Sequence, residues 1–186
     1  MGREFAMQLD RGLHSVDEFW LIARRGSRLK EIASGMQHTV KILPLDLTNE
    51  ADMTVLTESL AEEKPVVRML INCAGYGMMG DFTAVPIKEQ TGEVDLNCRA
   101  LLEVTYGCLP YMRAKSRIIQ LASSAAFLPQ PGFSVYAATK SFVLSFSKAL
   151  RAELKERQIY VTAVCPGPVK TCLLYTSPSP RDRQKS

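Results

Sequence analysis

Short apolar runs rich in β-branched residues alternate along this chain with stretches of helical spacing. Phe19–Ala23 (FWLIA), Val40–Leu43, Val66–Asn72, Arg117–Leu121 and Tyr160–Cys165 have the length and composition of buried strands. Between them, Arg28–Ser34, Glu50–Glu63, Lys88–Met112 and Tyr136–Arg157 repeat apolar positions every three or four residues, which predicts helices. Asn49 is a predicted N-cap for the second of these. Strands alternating with helices predict βαβ units, and so an α/β fold: a doubly wound parallel sheet in a three-layer α/β/α stack. Right-handed crossovers bring the strand C-termini to one edge, where such sheets bind ligands.

Both ends depart from this pattern. Met1–Met7 already reads as a helix with Gly2 at its start, whereas a βαβ fold places a strand before such a glycine. From Cys172 onward (CLLYTSPSPRD) the alternation stops. That segment is similar to the translated read-through of a transposase-type sequencing adaptor. Residues 172–186 are therefore expected to be a non-native or disordered tail behind a domain of residues 1–171.

Composition narrows the function classes. The 186 residues are 46% hydrophobic and 23% charged, enough for one sizeable core. The net charge of +4 is spread along the chain without a basic stripe, which argues against nucleic-acid binding. The five cysteines form no CxxC pair, and neither His14 nor His38 has a partner at ligand spacing, so no metal site is expected. Both histidines read as surface or loop residues. No apolar run approaches the ~18 residues of a membrane span.

Chemistry-bearing residues collect after the strands. Arg24 and Arg25 follow FWLIA, Asp46-Leu47 follow Val40–Leu43, and Asn72-Cys73-Ala74-Gly75 closes the next strand. Asn97 lies in the long helix after it, Ser123 and Ser124 follow Leu121, and Tyr136 and Lys140 open the next helix within SVYAATKSF. Pro166-Gly167-Pro168-Val169-Lys170-Thr171 follows the last strand. A Tyr four residues before a Lys means little alone. On a helix, though, the two share a face, and a cation near a phenol favours the phenolate, so Lys140 is expected to lower the proton affinity of Tyr136.

Taken in order and at this spacing, "NCAG", Asn97, Ser123 thirteen residues before Tyr136, "YAATK" and "PGPVKT" make the chain resemble the short-chain dehydrogenase/reductase family. The resemblance runs from Gly2 to Thr171 and implies a Rossmann-like fold. It implies a catalytic set of Asn97, Ser123, Tyr136 and Lys140, with Ser123 preferred to Ser124. Tyr136 would exchange a proton with a carbonyl or alcohol oxygen while hydride moves to or from a nicotinamide. Lys140 would hold the nicotinamide ribose, and Asn97 would anchor a water that relays protons to Lys140. In the cofactor site, Ala74 and Gly75, with the loop to Gly77, would lie against the adenosine ribose. Asp46, beside Leu47, would contact the adenine amino group, and Asn72 would steady its strand as a buried amide bonded to backbone. Pro166, Gly167, Val169 and Thr171 would border the nicotinamide, with Thr171 on its carboxamide. Gly2 would be the last glycine of the phosphate loop.

Cofactor choice follows from Arg24 and Arg25. They stand where an acidic residue would accept the ribose hydroxyls of NAD, and guanidinium forks match a 2′-phosphate, so NADP is expected over NAD. The implied protein is a cytoplasmic, homo-oligomeric oxidoreductase acting on a small carbonyl or alcohol, paired through its two long helices. A dinucleotide-binding scaffold of the same fold, or an epimerase or dehydratase of the wider superfamily, is the alternative. The resemblance also implies that the first, central strand is missing before Gly2. Two half-sheets with unpaired edges are then expected, and with them low stability and weak cofactor binding by the chain as written.

Overall fold

The computed structural model describes residues 1–167. Val169, Thr171 and the 172–186 tail lie outside the described residues. Helix α1 (Gly2–Gly12) is followed by β1 (Glu18–Ile22), α2 (Gly26–Ala33), β2 (Thr39–Leu43), α3 (Glu50–Glu63) and β3 (Val67–Asn72). Then come α4 (Ile87–Val94), a π-helical segment (Asp95–Ala100), α5 (Leu101–Cys108), β4 (Met112–Leu121), α6 (Ser134–Glu153) and β5 (Tyr160–Val164). Every strand pair is parallel, and the α/β fold is the expected one.

The strands form two sheets, β1-β2 and β3-β4-β5. Among the described residues no strand hydrogen-bonds one sheet to the other, as the half-sheet expectation has it. Side chains span the divide instead. Leu43 of β2, Leu45 after it, and Met53, Leu56 and Leu60 of α3 share one buried cluster with Val104 and Cys108 of α5. Trp20 and Ile22 of β1 and Leu70 of β3 pack against it. Arg99 adds a polar tie: its Nη2 donates to the Thr48 carbonyl at 3.0 Å, while Asp95 and Glu103 flank its other nitrogens.

Helix ends follow their caps. The Asn49 side chain accepts from the Asp52 N–H at 3.1 Å and starts α3, as its sequence position predicts. Helix α1 runs five residues beyond the expected Met7. Its buried Asp10 accepts the N–H groups of Gln37 and His38 at 3.0 Å and meets His38 Nδ1 at 2.9 Å. The His38 ring is therefore a fixed partner that ties α1 to the loop before β2, not a loose surface residue.

The expected Lys88–Met112 helix is three pieces and ends earlier. Its i→i+5 segment surrounds Asn97, whose side chain is fully engaged by neighbouring chain. The next strand begins at Met112 instead of Arg117. A bulge between Val67 and Met69 accommodates the added residues, and Lys115 takes a left-handed φ of 70° there. The Ser116 hydroxyl holds that bulge by donating to the Val67 carbonyl at 2.9 Å. Helix α6 starts two residues before Tyr136 and stops at Glu153.

Candidate active site

The site is assembled at the C-terminal ends of β3 and β4 and the first turns of α6. In α6, Tyr136 and Lys140 stand one turn apart, with the Lys140 Nζ 5.6 Å from the Tyr136 ring centroid. Lys140 is buried, and its Nζ donates to the Leu121 carbonyl at 2.8 Å. Burial pushes its ammonium down to about 8, against weak support from Cys98 and Cys73.

Tyr136 departs from the expectation. Its phenol lies above the usual value, because burial raises it, the Ser123 hydroxyl offsets this only in part, and the Glu93 carboxylate raises it further. Lys140 is not among the groups that shift it: its Nζ lies 5.6 Å from the ring centroid and donates to the Leu121 carbonyl. Phe133 stacks on the phenol ring with centroids 4.3 Å apart.

Ser123 follows β4 in extended conformation and caps a short 3₁₀ turn, accepting from the Ala125 N–H at 3.2 Å. It stands beside the phenol, whereas Ser124 is exposed and its N–H donates to the Pro166 carbonyl at 2.9 Å. That bond draws Pro166 and Gly167, after β5, to the same edge.

Asn97 is buried beneath the loop that follows β3. Its Nδ2 donates to the Tyr76 carbonyl at 2.8 Å and to the Thr139 hydroxyl at 3.0 Å, and its Oδ1 accepts the Tyr76 N–H at 3.1 Å. The expected water anchor is thus also a clamp on the loop, and both Nδ2 hydrogens are taken. A Cβ at Gly75 would lie 2.8 Å from Asn97 Oδ1 and 3.4 Å from Lys140 Nζ, so only bare backbone fits there. At Gly77 a Cβ would come within 2.7 Å of Tyr136 Cγ and 2.9 Å of Phe133. The loop expected against an adenosine ribose therefore packs on the Tyr136 ring at this position.

The other expected cofactor residues are placed as follows. Arg24 is largely exposed after β1, with Nη1 3.9 Å from Asp46 Oδ2, and Arg25 is the N-cap residue of α2. Asp46 is held below the usual carboxylate range by the Thr48 N–H and hydroxyl, against some burial, with help from Arg24. Burial and nearby carboxylates push the Tyr76 phenol up, and the Arg24 charge offsets this in part. Leu47 packs on the core at the edge of the first sheet, and Gly2 stands against Cys73 beyond β3, beside Ala74. Asn72 is bonded to side chains, not to backbone as expected. Its Nδ2 donates to Thr105 Oγ1 at 3.0 Å and Gln120 Oε1 at 2.9 Å, joining β3 to β4 and α5.

Tyr76 and Thr139 leave no mark in the spacing. Glu93 lies one turn before Asn97 on α4 and is buried, with its Oε1 accepting the Met78 N–H. An acidic residue one helical turn before Asn97 is the signal that marks it. Among the described residues no group of His, Cys, Asp or Glu could hold a metal ion, and no helix is long and apolar enough to cross a membrane.

Residues 1–181 match the family profile described as short chain dehydrogenase. An uncharacterized oxidoreductase of Staphylococcus epidermidis is 28% identical over 153 residues, which is 81% of this chain and 66% of that protein. The chain thus spans just under two thirds of that relative's length. Among solved structures, a short-chain dehydrogenase from Sphingobium yanoikuyae in complex with NADPH is 29% identical with a TM-score of 0.83, covering 94% of this chain and 69% of that one. A 3-ketoacyl-(acyl-carrier-protein) reductase from Brucella melitensis complexed with NADH is 26% identical with a TM-score of 0.80, covering 94% and 74%. The bulky-bulky ketone specific alcohol dehydrogenase of Comamonas testosteroni is 28% identical with a TM-score of 0.80, covering 96% and 71%. The chain belongs to the short-chain dehydrogenase family.

Proposed function

We propose that the protein is an NADP(H)-dependent oxidoreductase that interconverts a carbonyl and a secondary alcohol. The observation that carries this reading is the convergence of the Ser123 hydroxyl, the Tyr136 phenol and the Lys140 ammonium at one sheet edge. A nicotinamide bound along that edge supplies or takes the hydride. The chain handles the proton. With its pKa raised, Tyr136 keeps its proton at neutral pH and is poised to donate it to a carbonyl oxygen that is gaining charge. Ser123 donates a hydrogen bond to the same oxygen, where the charge develops. Lys140, at about 8, is mostly protonated at neutral pH and brings a positive charge near the phenol.

The residues present fit a dinucleotide. The missing Cβ at Gly75 lets the loop backbone close onto Asn97 Oδ1 and Lys140 Nζ, which holds that loop at the sheet edge. The exposed Arg24 guanidinium, beside Asp46, suits a 2′-phosphate better than a bare ribose hydroxyl. The test is NADPH consumption by the full-length protein against a panel of ketones and aldehydes, with NADH in parallel. Turnover that prefers NADPH supports the proposal. Tight NADPH binding without turnover across the panel would instead mark a dinucleotide-binding scaffold.

A further inference from the structure

Glu93 is the one buried side chain among the described residues with a polar atom left without a partner. It is 1% exposed, and while Oε1 accepts the Met78 N–H, Oε2 meets no donor. A buried carboxyl oxygen left so is costly, and such exceptions call for an explanation. Its place supplies one. Glu93 and Asn97 share a face of the helix one turn apart. Asn97 grips the backbone of Tyr76, Glu93 grips that of Met78, and between them Gly77 lies against the Tyr136 ring.

We propose that Glu93 is a positioning residue for Tyr136: with Asn97 it pins the Tyr76–Met78 strip against the phenol ring and holds its buried charge behind that strip. The inference rests on Tyr136 being the acid/base of the proposed reaction. The groups that face this pair are few. Glu89 on α4 and Tyr76 on the loop lie near Glu93, while Ser123 after β4 and Lys140 on α6 flank Tyr136. Burial and Glu89 lift the Glu93 carboxyl above the usual carboxylate range, against the Met78 N–H, and its anion in turn favours the protonated phenol. A carboxyl that only anchored the loop could be replaced by an amide without effect on the phenol.

The test is an ultraviolet titration of tyrosine ionisation in the full chain, with Tyr136→Phe identifying the Tyr136 step. Glu93→Gln keeps an acceptor for Met78 but removes the charge. It is expected to move the Tyr136 step down by on the order of half a pH unit or more. Glu93→Met should move it likewise and also lower the melting temperature. An unmoved step in either folded variant overturns the proposal. Because coupling is reciprocal, the side-chain carboxyl ¹³C signal of Glu93 in the unmodified chain should show an inflection at the Tyr136 pH that Tyr136→Phe abolishes. Absence of that inflection overturns the proposal even if no Glu93 variant folds. These titrations need neither cofactor nor substrate, so failure of turnover would count against the proposed reaction alone.

Discussion

Tyr136 lies under opposed influences: burial and Glu93 hold its proton on, and Ser123 eases it off. The spacing of Tyr136 and Lys140 was legible because a helix turns every 3.6 residues. The direction of the lysine's hydrogen bond was not, since the Leu121 carbonyl that receives it lies nineteen residues away. Glu93 and Thr139 escaped notice for the same reason: their roles come from a loop folded back on two helices. Arg24 shows the opposite case, because its position just after a strand was enough to suggest a phosphate-binding role. Arg24→Ala should weaken NADPH binding by roughly 10–100-fold, the worth of a charge-assisted hydrogen bond, and leave NADH binding within about threefold. Fluorescence titration with the two nucleotides checks this.

At the scale of elements, the boundaries the sequence reading missed are those that tertiary bonds decide. The α3 helix starts where predicted because Asn49 caps it locally. The Lys88–Met112 stretch broke at Asn97, whose partners Tyr76 and Thr139 are remote in sequence. Helix α6 carries a penalty of its own in the buried charge of Lys140. Its pKa falls to about 8 in the folded chain from an ordinary value of 10.5, so between these values the unfolded chain binds more protons. Stability from this group is therefore least below about pH 8 and rises as pH climbs toward 10.5. Thermal melts should show the gap between Lys140→Met and the parent chain narrowing as pH rises from 8 to 10. A constant gap would mean that the charge is not buried at a cost.

For the whole molecule, the alternation of strands and helices was enough for the α/β class, and both sheets are parallel as expected. How two unpaired half-sheets stay together was not legible, because the link is a side-chain cluster and the Arg99–Thr48 bond. Leu56, 1% exposed, sits in that cluster on α3. Leu56→Ala should cost about 2–5 kcal/mol, read from denaturant unfolding. The central claim remains chemical: the Tyr136 hydroxyl moves the proton in a carbonyl–alcohol conversion. In the full-length protein, Tyr136→Phe should lower NADPH-dependent carbonyl reduction by about 10²–10⁴-fold and leave NADPH affinity within about threefold. Turnover within a few-fold of the parent enzyme would contradict it.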